Sequence, residues 1–280
     1  MQAAVKKSGA PRWIFAYSYW DIVPVCAGVL HLVALLAFFV SFNHLPWQLS
    51  VLFGLLYAVS ISWNINGIAH NFIHNPYFKS EILNRLFSLM ESITLLFSQT
   101  FYDAVHKRHH IGNSDLPAED GSTIDWLSIY RYGHNQQPEG VWAYTFKSFF
   151  RDEPQQIYRE IHKRNPFLAN FGVFEIGVVI ALVIAGFWLN WKFMLFLVPF
   201  YYFGHSLSSL NGYYEHWRGN PNLPIAWGVS CYNPFYNWLW FNNGYHAEHH
   251  YRPKVHWTKM VELHRQIAEE QKREGVMVIG

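Results

Sequence analysis

Charge is scarce in this sequence. Asp, Glu, Lys and Arg make up 14% of its 280 residues, against roughly 25% in an ordinary soluble domain. The shortfall falls in four stretches. Residues 22–40 form an uncharged apolar run, and residues 49–65 a second one after a short polar break. Residues 171–189 form a third, interrupted only by Glu175, and residues 193–210 a fourth. Each approaches the roughly 20 apolar residues that a helix needs to cross a bilayer core. Cysteine is scarcer still. Only Cys26 and Cys231 are present, which excludes a fused rubredoxin or iron–sulfur module, since that would need about four thiolates. Cys26 lies inside an apolar run and Cys231 in a polar segment, so no disulfide is expected. There is no internal repeat and no low-complexity linker, and residues 1–280 read as a single integral-membrane domain. The net charge of +2 gives no basic footprint for a nucleic-acid partner.

The breaks within each pair of runs, at 41–48 and 190–192, read as hairpin turns. The expected fold is an all-α membrane protein with four transmembrane helices in two hairpins. Everything else then lies on one side. Of the 21 Lys and Arg residues, only Lys192 falls on the far side, and this positive-inside pattern makes the common side cytoplasmic. Lys6, Lys7 and Arg12 precede the first run with no small-residue cleavage site after it, so a cleaved signal peptide is not expected. The closing Val-Met-Val-Ile-Gly carries no retention signal and favours a bacterial inner membrane over endoplasmic reticulum. Residues 86–102 are apolar but include Glu91, Ser92, Thr94, Ser98 and Gln99. The pattern predicts a re-entrant or interfacial helix there, a polar loop over 113–140 and an interfacial helix over 141–150. Helices are expected at 246–250 and 256–270, broken at Pro253.

Histidine, by contrast, is abundant, and three clusters stand out: His70 and His74; His106, His109 and His110; His246, His249 and His250. The outer members of each are four residues apart, one turn above another on a helix face, and the i+3 members fall on that face too. The second apolar run can continue as one helix through the first cluster until Pro76 stops it. That places His70 about 10 Å beyond the apolar core. Continuing the fourth run places His216 at a similar depth, about 9 Å past Leu210, and makes it a ninth candidate ahead of His205, which lies inside the apolar stretch. His31 and His44 belong to the far half of the membrane. His134, His162, His256 and His264 lack partners at helical spacing and are read as surface or packing residues.

Imidazole binds iron, zinc or copper in its neutral form. At roughly four to six ligands per ion, eight or nine histidines imply two metals. A zinc hydrolase of the HExxH kind needs glutamate where Asn71 stands, and three protein ligands would suffice for it. The count points to iron and to oxidation of something apolar. A metal transporter needs ionisable residues along the membrane interior, where these runs offer only His31, Glu175 and His205.

The order HxxxH, HxxHH, HxxHH, interleaved with two apolar hairpins, resembles the membrane fatty acid desaturase and hydroxylase superfamily over nearly the whole chain. The Tyr-Glu-His at 214–216 resembles the extra histidine motif of membrane alkane monooxygenases, and Asn242-Asn-Gly-Tyr-His246 the asparagine-led third box of several bacterial members. The resemblance implies a di-iron centre that activates O2 against an unactivated C–H bond of a fatty acyl or other lipid substrate. Desaturation is the first expectation; hydroxylation of a fatty acid or alkane, or oxidative decarboxylation to a terminal alkene, are the alternatives. Carried over residue by residue, the ligands are His70, His74, His106, His109, His110, His246, His249 and His250, with His216 as the ninth. Neutral ligands leave the ions their full charge, so Asp103, Glu215 and Glu248, with Asn242, are expected to orient imidazole N–H groups. No cytochrome b5 His-Pro-Gly-Gly is present, so a separate donor of the ferredoxin, rubredoxin or cytochrome b5 type is expected. Arg159, Lys163 and Arg164 offer a basic patch for it or for anionic lipid.

Overall fold

A computed structural model describes residues 14–113 and 115–279, and Lys6, Lys7 and Arg12 lie outside them. Among the described residues the structure is helical, with two isolated bridges, Phe15 to Phe78 and Ser230 to Val278, and no strand. Helix α1 is Ile22–Ser41, and a short turn leads through Pro46 into α2, Trp47–Trp63. The helix then widens over Asn64–Ala69 and continues as α3, His70–His74, ending at Asn75 before Pro76. The single helix expected here is therefore continuous but carries a π-helical turn that the apolar pattern gave no hint of.

Among the described residues, three helical stretches are long and apolar enough to cross a membrane: Tyr19–His44, Trp47–His74 and Pro166–His216. The third, α8, contains both the third and fourth apolar runs. Its backbone leaves helical geometry at Asn190 (φ −152°, ψ 72°), whose side-chain oxygen accepts from the Phe193 N–H at 3.2 Å. A straight helix would hold Gly186 and Met194 about 12 Å apart, yet a Cβ on Gly186 would lie 2.8 Å from Met194 Sδ. The chain therefore doubles back at Asn190. The returning half packs on α2 through Tyr57, Ile61, Phe193 and Leu197. The approach is close enough that a Cβ on Gly204 would sit 2.7 Å from the Ala58 carbonyl.

The single helix expected over 86–102 is two. Helix α4, Glu81–Leu95, ends at Leu96 in left-handed geometry, and Ser98 caps α5, Gln99–Gly112. Glu91, Ser92 and Ser98, among the polar residues that suggested a membrane surface, are instead bonded between elements. The buried Glu175 of α8 accepts from Ser88 Oγ at 2.5 Å, Ser98 Oγ at 2.6 Å and the Thr100 N–H at 3.0 Å. An unpaired carboxylate at that depth would be costly; three donors offset it. The loop over 113–140 contains no helix among its described residues. Helices α6, Val141–Lys147, and α7, Pro154–Arg164, follow it; α9 is Pro234–Leu239, α10 His246–Tyr251 and α11 Met260–Arg273.

Candidate metal centre and its cavity

Four helix ends converge. The C-terminal end of α2–α3 brings His70 and His74, α5 brings His106, His109 and His110, α8 ends on His216, and α10 brings His246, His249 and His250. These nine imidazoles fall into two groups. His70, His74, His106, His110 and His249 form one, and His109, His216, His246 and His250 the other, with one ligand-capable atom from each within 4.8 Å of all the rest of its group. Each HxxHH box is shared out. The i and i+4 histidines point into one group and the i+3 histidine into the other, because i+3 and i+4 diverge by 100° around the helix. The two boxes do this in opposite senses, so His109 joins His246 and His250 while His249 joins His106 and His110.

The ring nitrogens crowd one another. His110 Nε2 lies 3.1 Å from His74 Nε2, 3.0 Å from His106 Nε2 and 3.0 Å from His249 Nε2. A neutral ring nitrogen offers one proton or one lone pair, so it cannot satisfy three such neighbours. In the other group His216 Nε2 sits 3.0 Å from His109 Nε2 and 3.1 Å from His246 Nε2. Both nitrogens of His250 are buried without a partner. Protonation offers no remedy: burial first, and then the neighbouring imidazoles, hold His106, His110, His246 and His250 well below the usual 6.5. Buried, neutral, convergent nitrogens are what a soft-to-borderline cation requires, and the residues fit a metal in each group.

A cavity of about 460 Å³ opens onto both groups. His70 and His106 of the first, and His109, His216 and His246 of the second, line it, and its far wall is Phe97, Phe101, Phe149, Ile176, Tyr201 and His205. Its size is that of a small-ligand pocket, roughly 300–1,000 Å³. His205 is thus a wall residue about 16 Å along the helix from His216. His31 is further off, bonded to Ser60 and Asn64.

Residues 45–279 match the fatty acid desaturase family. The chain belongs to that family. Among curated proteins it resembles a sphingolipid delta(4)-desaturase DES1-like protein of Arabidopsis thaliana, 26% identical over 208 residues that cover 72% of this chain and 58% of that one. It is also 26% identical to a sphingolipid delta(4)-desaturase of Candida albicans, over 71% of this chain and 57% of that protein. The desaturase-family chain thus spans a little under three fifths of the length of these relatives. No solved structure matches it.

The groups behind the histidines differ from expectation. Asp125 was missed: it is fully buried, and its carboxylate accepts from His109 Nδ1 at 2.8 Å while also taking the Leu127 N–H at 2.7 Å. It stands fifteen residues past its box in an irregular loop, with no spacing to announce it. Glu215 lies near the centre, 3.7 Å from His246 Nδ1 and beyond hydrogen-bond reach, held by Asn211 and Asn243 amides at 2.8 and 2.7 Å. Asp103 instead pairs with Lys107 at 2.6 Å, and Asn242 donates to the Trp257 carbonyl at 3.0 Å. Glu248 points away from the centre, accepting from Ser230, Tyr232 and His264. Its place on α10 puts it on the face opposite the histidines. His256, read as a surface or packing residue, is buried against Asp21 at 2.9 Å and ties the last segment to the first helix.

Proposed function

We propose that this protein is an O2-dependent di-iron oxidoreductase that desaturates a long-chain lipid. Nine of its histidines, His70, His74, His106, His109, His110, His216, His246, His249 and His250, are the metal ligands. One observation carries the reading: two convergent sets of imidazoles share an apolar-walled cavity. Two iron ions bound there would supply the activation of O2 needed to remove hydrogen from an unactivated C–H bond. The residues do the rest. Burial keeps His106, His110, His246, His249 and His250 neutral and so available as ligands at physiological pH, Asp125 fixes the tautomer of His109, and the cavity wall excludes water and holds the chain. Forming the double bond removes two hydrogens from the lipid. With two electrons and two protons from an external donor, O2 leaves as two waters.

The reading extends to topology: a single domain with four spans in two hairpins, the second turning at Asn190, and the metal centre on the cytoplasmic side where the Lys and Arg residues lie. A separate ferredoxin, rubredoxin or cytochrome b5 type donor would dock there. The names of the curated relatives make a sphingoid lipid the first substrate to try, ahead of fatty acyl esters. The test is iron content of the detergent-purified protein together with lipid profiling of cells that express it. About two irons per chain and a new double bond support the reading. An oxygenated product redirects it to hydroxylation, and zinc with no lipid change overturns it.

A further inference from the structure

Asn64–Ala69, between α2 and α3, is π-helical, and the His70 N–H reaches back to the Ile65 carbonyl. A wide turn contains one more residue than an α-turn, so the residues beyond it are rotated by about 100° relative to an uninterrupted α-helix. At a side-chain radius of about 5–6 Å, that rotation moves an imidazole by about 8 Å. The ligand-capable atoms of the five-histidine group lie within 4.8 Å of one another. His70 and His74 therefore reach that group only while the turn stays wide.

Wide turns are rare and need support, and neighbouring side chains provide it. Asn64 is fully buried; its amide donates to Glu91 Oε2 at 2.8 Å and lies 3.0 Å from His31 Nδ1. Asn66 donates to Ser208 Oγ at 3.2 Å. Two carbonyls of the turn are bonded by side chains, Gly67 by the Asn71 amide and Ile68 by the Tyr77 hydroxyl, each at 2.8 Å. Glu91 and Tyr77 are both fully buried and neither touches the histidines directly. We infer that Glu91, through Asn64, and Tyr77, through the Ile68 carbonyl, lock the register of the wide turn and so aim His70 and His74. They are positioning residues for the five-histidine metal site alone. This rests on the di-iron reading above.

The test is anaerobic Fe(II) titration of the full chain in detergent, with melting of the iron-free protein alongside. Glu91→Leu and Tyr77→Phe are expected to keep one tight iron and to bind the second at least tenfold more weakly. Glu91→Gln, whose amide oxygen still accepts from Asn64, keeps both. Two irons at wild-type affinity in Tyr77→Phe and Glu91→Leu overturn the register lock. Parallel loss of both irons with a matching fall in iron-free melting temperature also overturns it, because that is what a general structural role would do. Tyr77→Phe decides if Glu91→Leu does not fold. A wild-type chain that binds no iron overturns the di-iron reading, and the lock with it.

Discussion

Replacing Asp125 separates the two histidine groups chemically. Its carboxylate meets His109 Nδ1 at 2.8 Å, with both side chains buried, a distance typical of a charge-assisted hydrogen bond. Such bonds contribute about 1.5–3 kcal/mol, and neutral ones about half of that. Asp125→Asn keeps an acceptor in place, so it should weaken the metal bound by His109 by about 1–1.5 kcal/mol, or about five- to tenfold. Asp125→Ala strands a buried N–H and leaves the tautomer unfixed, which should cost about 10- to 100-fold. Only the four-histidine group contains His109, so only one of two metals should be affected. Competition between the loaded protein and a chelator should show two release phases in wild type, and in the variants one of them unchanged. Equal acceleration of both phases, or of neither, would refute the reasoning.

Other substitutions test the partition and the cavity. His249→Ala and His250→Ala are adjacent in sequence but serve different groups; each should lose one iron, and the double variant both, by metal analysis. A Cβ on Gly212 meets nothing within 4 Å, and Gly212 lines the cavity. Gly212→Leu should therefore cut turnover of long-chain lipid severely while iron content stays at the wild-type level; loss of iron would show that the space belongs to the metal centre instead. Without metal, stability should fall with acid. His106, His110, His246, His249 and His250 are held below their usual 6.5 by burial, so the unfolded chain binds more protons than the folded one. Their contribution is complete above pH 6.5 and is lost as pH drops towards the folded values. Melting of chelated protein from pH 8 to 5 checks this, and a midpoint that rises with acid would count against it.

Where the sequence was legible, local geometry carried the information. Four-residue histidine spacing on helices sets side chains one turn apart wherever the helix lies, so all nine candidates could be gathered from spacing and run lengths, and His216 preferred to His205 on depth alone. The sharing of each HxxHH box between two groups is tertiary. It depends on which way α5 and α10 face each other, and the sequence period is the same for both. Glu91 and Ser98 misled for a related reason: a polar residue in an apolar run has the same composition whether it faces water or a partner helix. The wide turn after α2 could not be read from the sequence, because most of the contacts that hold it come from distant elements, α1, α4, α8 and Tyr77.

The two groups are supported by different means. The four-histidine group has carboxylates behind it, Asp125 on His109 and Glu215 beside His246. The five-histidine group has a fifth imidazole and a register lock, with no carboxylate among the described partners of its rings. A carboxylate raises the basicity of the imidazole it holds and spreads negative charge towards the ion, whereas an extra neutral ligand adds a bond but no charge. Two ions of the same element would therefore sit in unequal fields, the four-histidine ion partly neutralised and with fewer protein ligands around it. Both groups line the cavity, the four-histidine group through His109, His216 and His246 and the five-histidine group through His70 and His106, so under the proposed reading a lipid held there would lie against both.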